Sequence, residues 1–175
     1  MQRDLFIAII GAVIAVLFDV IISPNIAIFS ATPNVIIAYT IVLAMLYQEQ
    51  PLYIIAFVLG MISDLLGFGP VGVSPFLLIL ACVVVVRISG IFADGTLVVA
   101  SATIVGNILL FELFYAGFML ALGTGISAID AITYLAIPCA LFDCVLGLIL
   151  YPIMSHFLET KRSTMGTEPP VARLR

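Results

Sequence analysis

Four acids stand inside apolar runs of this chain: Asp19, Asp64, Glu112 and Asp143. A carboxyl group in such surroundings relays protons, lines an ion path, binds a partner or holds a helix by hydrogen bonding. The sharpest case is GMISDLLGFGPVG, Gly60 to Gly72, where an apolar run ends in Asp64 and breaks at once into Gly67, Gly69, Pro70 and Gly72. Its partner would be a backbone donor, Asn107, or a residue of another subunit. Asp143 stands in a similar setting, sharing one helical face with Cys139 and Gly147 after Pro138. Glu112 and Asp19 read as structural, Asp19 reaching the membrane interface beside Ser23 and Pro24.

Enzymatic chemistry finds no purchase. The sequence holds no Gly-x-Ser-x-Gly, no His-Glu-x-x-His, no phosphate-cradling glycine loop after a strand, and no two acids close on one helix. Cys82, Cys139 and Cys144, with the single His156, fit no zinc spacing and read as small apolar core residues. We therefore expect no catalytic residue, no metal and no cofactor.

The elements that must position these acids follow from composition. The 175 residues are 64% hydrophobic and only 9% charged, with a mean hydropathy of +1.34. Soluble domains carry about 25% charged residues, so this chain lacks the polar surface to face water and is expected to be an integral membrane protein. The formal charge of −4 is no acidic surface, because four of the acids are embedded. Six basic residues form no patch, which argues against nucleic-acid binding. The first apolar run, from Leu5, has no small-residue cleavage site before Pro24 and reads as a retained span.

A bilayer core of about 30 Å needs roughly 20 helical residues. Six spans are expected: Leu5–Ile22, Asn34–Tyr47, Leu52–Phe68, Ser74–Phe92, Thr96–Leu122 and Ile129–Leu158. The second and third are short, within what local thinning absorbs. Pro51 suits the first turn of the third helix, and Ser74-Pro75 reads as N-cap and first residue of the fourth. With six spans, Arg3, Arg87, Lys161, Arg162, Arg173 and Arg175 all fall on the side of both termini, and the opposite loops carry no Lys or Arg. The positive-inside rule then puts both termini in the cytoplasm. Residues 1–158 form the expected transmembrane domain, and 159–175 a disordered cytoplasmic tail. The apolar stretch 25–32 lies along the interface or re-enters the membrane.

On a helix, Ala56, Gly60, Ser63, Asp64 and Gly67 share one small and polar stripe. Small residues at four-residue spacing let helices approach closely in lipid. Nine Leu, Ile, Val or Phe residues from Leu52 to Leu66 favour insertion by about 3–5 kcal/mol, enough to carry an Asp costing about 2.5–3.5 kcal/mol at the helix centre. Asp64 should therefore face protein or water, with Gly67, Gly69, Pro70 and Gly72 forming a tight turn that returns the next helix.

The order of features resembles a known family. Pro33-Asn34 opens the second span, Gly60-x-x-x-Asp64-Leu-Leu leads to Gly69-Pro70-x-Gly72, and Leu150-Tyr151-Pro152 precedes a basic tail. This pattern, over residues 1–160, is similar to that of the bacterial rod shape-determining MreD family, in which Asn is expected where Asp143 stands. The resemblance implies a non-enzymatic membrane component of the cell-elongation machinery, associated with the MreC scaffold. It also implies work alongside the MreB filament, the RodA glycosyltransferase and a class B penicillin-binding protein in lateral peptidoglycan synthesis. It further implies a fold like the substrate-binding subunits of energy-coupling-factor vitamin transporters.

Three functions compete on the residues. A scaffold would bury Asp64, Asp143 and the glycine stripes, and offer a lipid-facing flank such as Val83–Val86 to a partner's single span, with no small-molecule ligand. A vitamin-binding transporter subunit would need a polar pocket at the outer mouth, which the Trp-free chain and its sparse outer loops supply poorly. An ion-coupled channel would use Asp64 and Asp143.

Overall fold

A computed structural model describes residues 2–26, 32–67, 69–91, 97–123, 129 and 131–158. Every regular element among them is helical. The expected segment 25–32, the loop 123–128 and the tail 159–175 fall largely or wholly outside the described residues, as do Phe68 and the four basic residues of the tail.

Among the described residues six α-helices follow one another, and proline or glycine punctuates most of their ends. Helix α1, Gln2–Ile21, stops before a short 3-10 turn over Ser23–Asn25 that contains Pro24. Helix α2, Val35–Leu46, is capped by Asn34, whose side chain accepts the Ile37 N–H at 3.1 Å. Pro33 ahead of it keeps the incoming chain from continuing as helix. Helix α3, Pro51–Leu66, starts on a proline, whose missing donor is one of the N–H groups a helix start leaves unpaired anyway. Its last turn closes with the Gly67 N–H on the Ser63 carbonyl at 2.9 Å.

Helix α4, Val73–Ile91, follows Gly72, whose φ of +105° suits a residue without Cβ. Ser74 is thus inside the helix and not its N-cap, contrary to what the Ser-Pro pair suggests. Helix α5 is Leu97–Ala121, and helix α6 is Ile137–Phe157. A π-helical turn over Ala131–Ala136 leads into α6. Pro138 accounts for it, since it cannot donate to the carbonyl four residues back and its ring crowds that turn.

Four of these elements are long and apolar enough to cross a membrane: α1 with its 3-10 turn, α4, α5 and α6. The other two are shorter, at 12 and 16 residues. Their placement explains how that is tolerated. Helix α2 is the central post of the bundle, touching α1, α3, α4, α5 and α6. Eleven of its 12 residues are buried, and Ile36, Ile41, Val42 and Leu43 have no exposed surface at all. A helix that is apolar all round belongs inside a structure. At 1.5 Å per residue it is about 18 Å long, well short of a hydrocarbon layer of about 30 Å. At least one of its ends must therefore stop within the bundle.

The outer surface is as apolar as the core. Helix α1 shows Phe6, Ile9, Val13, Ile14 and Leu17 outward, and α5 shows Leu109, Leu110, Leu113 and Phe114. In water such a surface would be a liability; in lipid it is the expected exterior.

Candidate functional site

The four embedded acids all belong to one end of the bundle, and the hydrogen bonds they make explain why they are there. Asp64 lies in the last turn of α3 and is 4% exposed. Its Oδ2 accepts the Gly72 N–H at 2.6 Å, and both its oxygens lie 3.3 Å from the Ser74 N–H. A helix leaves its first N–H groups without partners, and inside a membrane no water supplies an acceptor. Asp64 supplies it from the preceding helix. That is why Ser74 does not act as the cap: its backbone is itself capped. Among the three partners the sequence allowed for Asp64, the backbone donor is the one found. Asn107 is not involved, since its amide donates to the Thr103 carbonyl on its own helix at 3.0 Å.

The start of α2 repeats the device with two acids. Asp19 in the last turn of α1 accepts the Val35 N–H at 2.9 Å and the Ser23 hydroxyl at 3.1 Å. This corrects the expectation that Asp19 merely reaches the interface. Asp143 of α6, 109 residues away, accepts the Asn34 N–H at 2.7 Å through Oδ1. Asn34 joins the pieces: its Oδ1 caps α2, and its Nδ2 donates to the Ser63 hydroxyl of α3 at 3.2 Å. One turn of backbone thus ties α1, α2, α3 and α6 together. Negative charge at a helix N-terminus also opposes the positive end of the helix dipole.

The remaining acid, Glu112 of α5, is 7% exposed and faces Asp143 within hydrogen-bonding reach. Asp143 itself has no exposed surface, and its Oδ2 has no hydrogen-bond partner. Tyr115, one turn beyond Glu112, stacks on Phe111 and reaches the Gly69 turn with its hydroxyl. This interhelical pairing of acids was not foreseen in the sequence.

The small residues take different places. Ala56 and Gly60 are buried, and a Cβ on Gly60 would collide with the backbone of Ser74 and Pro75, so α3 and α4 touch main chain to main chain. Gly67 is exposed at the end of α3 and belongs to the turn, not to the packed stripe. Gly69 is held against Tyr115, and Pro70 is half-buried beside it. Gly147 packs on α5, where a Cβ would meet the side-chain ends of Ile104 and Ile108. Pro33 is buried at the foot of α2, whereas Pro152 is exposed inside α6. Val83–Val86 is not one outward face, because Val85 is fully buried while Val83 is exposed. Cys82 and Cys144 are buried and Cys139 half-buried, all as free thiols. No group of three or more His, Cys, Asp or Glu able to hold a metal ion occurs among the described residues.

Arg3 and Arg87 stand at the opposite end, Arg3 at the start of α1 and Arg87 in the last turns of α4. No Lys or Arg occurs among the described residues at the end where the acids gather.

A helical bundle with an apolar exterior, and with buried carboxylates that start its own helices, defines a multi-helix protein of membrane type. The chain belongs to the family described as rod shape-determining protein MreD, whose family profile matches residues 2–161. That makes it a membrane protein of the rod-shape-determining class. No curated protein and no solved structure matches the chain, and the expected likeness to energy-coupling-factor subunits is without support from them.

Proposed function

We propose that the chain acts as a non-enzymatic scaffold or regulator of the cell-elongation complex, recognising the single membrane span of an MreC-type partner by lateral helix packing. Family membership over residues 2–161 supports the process. The mode is supported by one observation, an open groove of about 330 Å³ between α4 and α5 lined by Ile88, Val99, Ala102, Thr103, Gly106, Asn107 and Leu110.

Ala102 and Gly106 are four residues apart on α5, and a Cβ on Gly106 would meet nothing within 4 Å. Small residues at that spacing, opening sideways on an apolar surface, give another helix room for close approach. Coupling to RodA, the class B penicillin-binding protein and the MreB filament would run through that partner. In this reading all six helices serve as spans, both termini are cytoplasmic with Arg3 and Arg87 on the inner side, and the acid-rich end faces outward. The capped helix starts are the rigid frame that keeps the α4–α5 surface in shape.

The test is co-purification with an MreC-type protein from membranes. Wild type is expected to retain it. Gly106→Leu, which fills open space, is expected to fold with an unchanged melting temperature and to lose the partner at least tenfold. Retention of the partner by a folded Gly106→Leu protein would remove α4–α5 as the surface. A stoichiometric bound vitamin in native mass spectrometry would overturn the scaffold reading itself.

A further inference from the structure

We propose that Glu112 and Asp143 hold one proton between them, as an acid–carboxylate hydrogen bond that locks α5 to α6 inside the membrane. The inference rests on counting donors. An ionised carboxylate only accepts hydrogen bonds. Asp143 is fully buried; Oδ1 takes the Asn34 N–H at 2.7 Å, and Oδ2 has no partner. The group facing it is another carboxyl, Glu112. Were both ionised, two like charges would face each other in a medium of low dielectric, with a buried oxygen unpaired.

A single proton resolves both faults, because an O–H on either side donates to the other and the resulting bond is short and strong. The other acids do not need it. Asp64 accepts from Gly72 and Ser74, and Asp19 from Val35 and Ser23. Among the described residues the other groups around the pair supply no counter-charge: Asp19 on α1, Asn34 on α2, Tyr115 on α5, and Cys139 and Cys144 on α6. No third His, Cys, Asp or Glu among the described residues joins the pair to form a metal-ligand group.

Asp143→Asn removes the requirement for the shared proton: its amide oxygen accepts from Asn34, and its amide nitrogen donates to ionised Glu112. Glu112→Gln does the same from the other side.

The experiment measures the infrared carbonyl band of a protonated carboxyl in the full-length protein in detergent near neutral pH, alongside its melting temperature. Wild type is expected to show the band. Both variants should lose it while still melting cooperatively. Absence of the band in wild type would overturn the proposal even if a variant failed to fold. So would its persistence in a folded Asp143→Asn protein, or a sodium-dependent stabilisation that both variants abolish.

Discussion

Asp64 accepts the Gly72 N–H at 2.6 Å, so the carboxylate that ends α3 also begins α4. The relationship turns an apparent liability, an acid in an apolar run, into the acceptor that the first N–H groups of the next helix need. Asp19 and Asp143 do the same for α2 at 2.9 and 2.7 Å. Three helices thus supply carboxylates to the starts of two others.

The first prediction separates charge from hydrogen bonding at Asp64. Asp64→Asn keeps an acceptor for Gly72 and Ser74 and gives up only the interaction with the helix dipole, about 0.3–1 kcal/mol. Asp64→Leu leaves both N–H groups unpaired and should cost about 1–3 kcal/mol for each. Melting in detergent should rank wild type and Asn close together, with Leu well below. Complementation of rod shape should follow the same order.

Asn34 offers a second test, because it works through three groups at once. Asn34→Ala removes the cap on α2 and the bond to Ser63, and an N-cap loss alone costs about 0.5–2 kcal/mol. Asn34→Asp keeps the cap acceptor but loses the donor to Ser63 and sets a third acid beside Asp19 and Asp143. It should therefore be no better than Ala, although Asp is ordinarily as good a cap as Asn. A stability equal to wild type in Asn34→Asp would contradict the crowding of acids described here.

Glycine substitutions should discriminate the two close helix contacts. At Gly60 a Cβ meets the backbone of Ser74 and Pro75, whereas at Gly147 it meets the ends of the Ile104 and Ile108 side chains. Main chain cannot step aside, but flexible side chains can. Gly60→Ala should cost about 1–3 kcal/mol or more, and Gly147→Ala distinctly less. Equal losses would show that α3 and α4 are not in main-chain contact.

Much of this was legible from residues alone. Pro24, Pro51 and the Gly67–Gly72 run mark helix ends because their backbones allow little else, and the structure places the breaks there. The local stripe through Ala56, Gly60 and Asp64 was readable because helical periodicity fixes which residues of one helix share a face. Periodicity says nothing about which helices meet, so the bond from Asp143 to Asn34 and the contact of Glu112 with Asp143 were invisible. Ser74 was misread for a related reason: Ser before Pro is a good local cap, but a carboxylate one turn before the loop is a stronger acceptor. The central position of α2 did leave a trace. A short run that is apolar on every side, Val35 to Leu46, has no face to offer water or a single neighbour.

The central claim is that embedded carboxylates cap helices that begin within the membrane. Hydrogen–deuterium exchange of the Gly72 and Ser74 amides in Asp64→Ala, with the Asn34 and Val35 amides as internal reference, tests it most directly. The account predicts that the first pair exchanges at least tenfold faster than in wild type while the second is unchanged. Wild-type protection at Gly72 and Ser74 in a folded Asp64→Ala protein would contradict it.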